Sequence, residues 1–143
     1  MIAVDTNLLV YSHREDSPWH AAAKTLVEGL RGARAAWAIP WPCVHEFVGI
    51  VTHPRIFKQP TPIPLALDAV EAWLASGNLN LIGESDGYLP KLRDQVVTGK
   101  VQGPMVHDAR VAALCIHHGV RELWSADRDF SRFPTLTVRN PLS

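Results

Sequence analysis

Apolar and polar positions fall into alternating blocks along the chain. Ile2–Val4 is a short apolar run that stops at Asp5, Thr6 and Asn7. It predicts a buried strand ending in a polar turn, after which Leu8–Val10 returns the chain to the core. Ser17-Pro18 predicts a helix start, with Ser as cap and Pro as the first helical residue. Trp19, Ala22, Ala23, Leu26, Val27 and Leu30 follow at helical spacing. Ala36–Ile39 reads as a second strand, and Pro42 opens a helix that Pro54 stops near His53. Pro60, Pro62 and Pro64 stiffen a loop. Leu65–Ser76 reads as a helix ended by Gly77, and Leu79–Ile82 as a third strand. Ser85 is placed to cap a helix through about Val97, and Pro104–His118 reads as a helix ended by Gly119. Leu123–Ser125 and Leu136–Val138 supply a fourth and a fifth short strand.

Strands separated by helices predict βαβ units. The fold class is therefore α/β: a three-layer α/β/α sandwich around a mainly parallel sheet of about five short strands. Repeats and low-complexity tracts are absent, and residues 1–143 read as a single domain. In open parallel sheets, ligands bind beyond the carboxyl ends of the strands, where strand order reverses. Asp5 lies at the end of strand one and Asp127 at the end of strand four.

Asp108 is the third notable acid. In HDARVAALCIHHG, the positions three, four and seven residues after it are Val111, Ala112 and Cys115. All four share one helix face, so the carboxylate sits on the core-facing stripe. A lone buried carboxylate costs several kcal/mol or takes up a proton. Its place near a helix N-terminus returns only about 0.3–2 kcal/mol. No Lys or Arg shares the stripe, and Arg110 lies on another face. A divalent metal held with Asp5 and Asp127 would satisfy all three acids. Each acid has a plainer role when taken alone: Asp5 and Asp108 as helix caps, Asp127 and Asp129 as turn residues. On VHEFVGIV the apolar stripe is Val44, Phe47, Val48 and Val51, so Glu46 is expected on a solvated face.

Composition changes this picture little. The chain is 47% hydrophobic and 20% charged, as in a globular protein. No apolar stretch approaches the roughly 20 residues of a membrane span. Met1 leads straight into the first strand, and Cys43 and Cys115 read as reduced core thiols, so a cytoplasmic protein is expected. Fourteen bases balance fourteen acids, and ten of the bases are Arg. Gathering Asp5, Glu46, Asp108, Asp127 and Asp129 in one site leaves nine acids against fourteen bases, a modest phosphate-attracting surface. Other motifs fail. His45-Glu46 begins a zinc-protease H-E-x-x-H, but the fifth position is Gly49. His107-Asp108 matches an all-helical class of HD phosphohydrolases that the strand runs contradict. A receiver-like domain needs a phospho-accepting Asp at the end of a middle strand and a later Lys, and no such pair is evident. A haloacid dehalogenase-type phosphatase needs a second Asp where Asn7 stands. His117-His118 is expected to cap a helix end, and the five Trp to fill core and interface positions rather than to stack on bases.

The ordered set of DTNLL, a helix acid at Glu46, HDARVAAL and SADRDF resembles the PIN-domain family over essentially the whole chain, most closely the VapC toxins of type II toxin–antitoxin pairs. THPRIFKQP resembles a stretch found in a subgroup of them. The resemblance implies a Mg²⁺- or Mn²⁺-dependent endoribonuclease leaving a 5′-phosphate and a 3′-hydroxyl. It places catalytic acids at Asp5, Glu46, Asp108 and Asp127, with Asp5, Asp108 and Asp127 as metal ligands. Glu46 would hold a second metal or orient the attacking water. Thr6, Asn7, Ser125 and Asp129 would support the acids, and Arg55, Arg110 and Arg128 are candidates for RNA phosphates. A VapB-like antitoxin and a homodimer are the implied partners, with Trp19, Val27, Phe47 and Phe57 as contact or core residues. The alternative is a PIN-like module that grips RNA or a partner without cutting.

Overall fold

The computed structural model describes residues 1–143. Five strands form one parallel sheet: β1 (Ile2–Val4), β2 (Trp37–Pro40), β3 (Leu79–Ile82), β4 (Glu122–Trp124) and β5 (Val138–Arg139), in the order β3-β2-β1-β4-β5. Six helices connect them: α1 (Thr6–His13), α2 (His20–Gly32), α3 (Trp41–Val51), α4 (Ile63–Leu74), α5 (Tyr88–Gly99) and α6 (Val106–His117). α1 packs on α2 and α3, and α3 on α4, as one layer; α5 and α6 pack together as the other. No helix is long and apolar enough to cross a membrane.

The sheet's centre is buried on both faces. Ala3, Val4, Trp37, Ala38, Ile39 and Leu123 are almost wholly covered, which is why these strands read as continuous apolar runs. The chain steps outward from β1 through β2 to β3, then crosses back to β4 on the other side of β1. Strand order therefore reverses between β1 and β4, and both strands end there. Ala3 faces Leu123 in register, Val4 faces Trp124, and the Asp5 N–H donates to the Trp124 carbonyl at 3.0 Å.

Several boundaries differ from the pattern-based reading. Thr6–His13 is a helix, not a turn followed by a core run. Leu8, Leu9 and Val10 are consecutive and all buried, so the helix shows no apolar stripe. Ser17 precedes α2 without capping it: its hydroxyl accepts the Trp19 N–H at 3.2 Å, and the helix begins at His20. Ser85 likewise forms a turn, and Gly87, in the left-handed region at φ +85°, admits the chain to α5. Gly103–Met105 is a separate 3-10 turn, so Asp108 is the third residue of α6. β5 pairs through Val138 and Arg139, later than expected. His117 and His118 tie α6 to the segment after β3. The Ser85 hydroxyl and the His117 ring lie 2.7 Å apart, as do the His118 ring and the Gly83 carbonyl.

The aromatic residues divide. Phe47, Trp37 and Trp73 are core, as is the aliphatic Val27, while Phe57 is half-buried beneath the Arg14 guanidinium, 4.0 Å from its ring centre. Trp124 is half-buried, whereas Trp19 and Trp41 remain exposed.

Candidate active site

Four chain segments meet at the carboxyl edge of the sheet. Asp5 follows β1 and Asp127 follows β4. Glu46 stands on α3 and Asp108 in the first turn of α6. Together with Pro42, His45, His107, Arg110 and Val111 they line a cavity of about 350 Å³. The N-terminal ends of α3 and α6 open onto it, an arrangement that favours negative charge.

Asp5 occupies the cap position of α1, but its side chain makes no capping bond. It is 7% exposed and turns toward β4. Its Oδ2 accepts the Ser125 hydroxyl at 2.8 Å, and its Oδ1 accepts the Cys43 thiol at 3.4 Å. The Ser125 oxygen in turn accepts the Asp127 N–H at 2.9 Å, and Asp127 Oδ1 accepts the Asp129 N–H at 2.8 Å. Asn7 Oδ1 accepts the Ala126 N–H at 3.3 Å, fixing the same loop. Asp127 thus holds its turn and faces the cavity at once. Ser125→Ala would strip a partner from buried Asp5 and leave the Asp127 N–H unserved. We expect a loss of about 1–3 kcal/mol, read as a melting temperature several degrees lower; an unchanged melting temperature would show that Ser125 holds neither.

Burial raises the Asp5 carboxyl above its ordinary value, against the opposing hydrogen bonds from Ser125 and Cys43. Glu46 is raised by burial and then by the nearby Asp5 charge. Asp108 is pushed up to about 6, first by burial and then by the charges of Asp127, Asp129, Asp5 and Glu46. Carboxylate oxygens of Asp108, Asp127 and Asp129 lie within 4.8 Å of one another. The stripe reading of Asp108 agrees with its neighbours: Val111, Ala112 and Cys115 are all buried. Glu46 is exposed over its surface as a whole, as periodicity requires, but it faces the cleft, whose walls partly desolvate its carboxyl.

A cation fits this site. The ion pairs of the chain are Arg14–Asp16, Arg31–Glu28, Arg110–Glu84 and Arg139–Glu122, and none involves the clustered acids. Thr6 Oγ1, next in sequence to Asp5, is buried without a hydrogen-bond partner. The clustered acids offer carboxylate oxygens, the ligands Mg²⁺ and Mn²⁺ prefer. Both cysteines are unpaired and buried. Burial holds Cys43 well above its usual range and pushes Cys115 up to about 12, so both are neutral thiols rather than ligands.

The three arginines part company. Arg110 lines the cavity, and its Nε donates to Glu84 Oε1, which fixes the guanidinium on the wall. Arg128 lines a neighbouring groove of about 600 Å³ that shares Asp127 with the acid cavity. Arg55 lies in the exposed turn after α3 and lines neither. Pattern reading passed over His45 and His107, because their two-residue motifs lacked the remaining ligands those classes need.

Residues 2–136 match the PIN domain family. This chain is a PIN-domain protein. Among curated relatives, ribonuclease VapC48 of Mycobacterium tuberculosis is 33% identical over 139 residues, covering 97% of this chain and 96% of the relative. Ribonuclease VapC43 of the same organism is 33% identical over 142 residues, covering 99% and 96%. The chain belongs with the VapC members of the family. Its fold matches VapBC-1 from nontypeable Haemophilus influenzae at a TM-score of 0.68 and 15% identity, with both chains fully covered. It also matches VapBC2 from Rickettsia felis, solved on a promoter DNA fragment, at 0.67 and 21% identity, with 98% of each covered. Those PIN folds agree with the three-layer arrangement described above.

Proposed function

We propose that this PIN-domain chain is an endoribonuclease, the toxin of a VapBC-like type II toxin–antitoxin pair. The observation that carries the reading is the acid cavity itself: four carboxylates from four segments converge at the switch point of the sheet, and none of them forms an ion pair with a basic side chain. Asp5, Asp108 and Asp127 would hold Mg²⁺ or Mn²⁺, with Asp129 close enough to share the task. A bound cation would supply Lewis acidity there, acidifying water and offsetting charge on phosphoryl oxygens.

The remaining roles belong to the chain's own groups. Ser125, through its bond to Asp5 Oδ2, keeps that carboxylate aimed at the cavity. Glu46, on α3 in the same lining, would orient the attacking water and accept its proton. Arg110, held by Glu84, grips a non-bridging phosphate oxygen, and Arg128 meets the strand where it enters the adjoining groove. Water adds to phosphorus, the bond from phosphorus to the 3′-oxygen breaks, and that oxygen takes a proton from solvent, giving a 5′-phosphate and a 3′-hydroxyl. A VapB-like antitoxin would restrain this activity in the cytoplasm, and the toxin would pair as a homodimer.

Purified chain incubated with a panel of RNAs in Mg²⁺ or Mn²⁺ tests the reading. We expect internal cuts whose downstream fragments carry a 5′-phosphate. Intact RNA throughout, with metal binding preserved, would favour a binding module instead.

A further inference from the structure

Two aromatic rings run outward from the acid cavity. His45 lines the cavity beside Glu46. One helical turn earlier on α3, the Trp41 indole stacks on the His45 ring, with centroids 5.9 Å apart and planes 28° from parallel. The edge of the indole abuts the backbone just past β3: a Cβ on Gly83 would meet its Cδ1 at 3.1 Å. So Trp41 is braced on two sides, yet 41% of its surface remains exposed. Trp19, the other exposed tryptophan, instead packs on Tyr11 at 4.9 Å and lines a separate hollow with Pro18 and Phe57. Only Trp41 is joined through a stacked ring to the wall that carries the acids.

We propose that Trp41, with His45, is a stacking platform for an unpaired RNA base next to the phosphate held in the acid cavity. The proposal rests on the ribonuclease reading and deepens it by naming the side chains that meet a base beside the cleaved phosphate. A base in a duplex has both faces covered by its neighbours, whereas an unpaired base can lay one face on the indole. Such stacking is worth about 1–3 kcal/mol per base and tolerates any base, since each has a π-face. Without a bound cation the clustered acids repel phosphate, so a contact made through the base adds affinity on this wall that the backbone alone does not supply. Arg110 serves the phosphate separately.

Fluorescence anisotropy of a labelled single-stranded RNA tests this, with Asp5→Asn present in every variant so that the RNA stays intact. Trp41→Ala is expected to weaken binding about 5- to 150-fold, and Trp41→Phe to restore most of the loss. Scanning one abasic site along the RNA should find a position where Trp41→Ala costs nothing further. A fully paired RNA should bind the parent and Trp41→Ala alike. Unchanged affinity in Trp41→Ala overturns the proposal, as does an equal loss for intact and all abasic RNAs in a variant that keeps its helical circular dichroism. A parent that dimerises only with Trp41 intact also overturns it, because the ring would then be covered by a second copy. If wild-type chain neither binds nor cuts any RNA, the ribonuclease reading itself fails. If it cuts RNA while Trp41→Ala binds normally, only the platform fails.

Discussion

Asp5→Asn is expected to lower RNA cleavage at least about a hundredfold while leaving the fold intact. Loss of a group that merely supports a metal ligand commonly costs 10- to 100-fold, and removing a ligand's charge should cost no less. The fold should survive because Asn is nearly isosteric. Its carbonyl oxygen can still accept the Ser125 hydroxyl that now serves Asp5 Oδ2 at 2.8 Å. Burial already disfavours the charged form of Asp5, so neutralising it removes an unfavourable term from the metal-free protein. Circular dichroism and thermal melting in EDTA check the fold, and single-turnover cleavage checks the chemistry. A variant that cuts at the parent's rate would remove Asp5 from the site.

Asp108→Ala is expected to abolish cleavage and to keep or raise the melting temperature of the metal-free protein. Most substitutions of half-buried residues lower stability, so the sign is diagnostic. The Asp108 carboxyl stands at about 6 in the fold against an ordinary 3.8. The native state therefore binds its proton more tightly than the unfolded chain does. That mismatch is absent below about pH 4, grows as pH rises and is complete above about pH 6. Solvent at the cavity mouth screens the effect, and the favourable place in the first turn of α6 offsets part of it. A net gain near 1 kcal/mol is expected for the variant at pH 7.5, or about 2–4 °C. In EDTA, wild-type stability should fall relative to Asp108→Ala between about pH 4 and pH 6. A large drop in the variant's melting temperature would mean that Asp108 supports the fold.

How much of this could be read in the residues depends on distance along the chain. The strands β1 and β2 were legible because their apolar runs are almost wholly covered, and β3, with Asn80 exposed and only Ile82 buried, because Gly77 and Gly83 bound it. Asp108 was legible because a carboxylate interrupts a stripe whose other members are all buried. The helix α1 was not: Leu8, Leu9 and Val10 are buried side by side, so no 3.6-residue period marks them. For Glu46, period gave the exposure but not its use, since a cleft wall and an open surface look alike in one dimension. The bond from Ser125 to Asp5 joins residues 120 positions apart and exists only because β4 crosses back beside β1. The thiol of Cys43 reaches Asp5 by the same three-dimensional accident of α3 starting at the sheet's edge.

The central claim is that these acids cut RNA by holding a divalent metal. The most direct measurement compares EDTA-stripped wild-type chain and Asp5→Asn on one RNA substrate, before and after Mg²⁺ or Mn²⁺ is restored. The account predicts no cutting by either stripped protein, recovery in the wild type, and none in the variant. Undiminished cutting in EDTA, or equal recovery in Asp5→Asn, would contradict it.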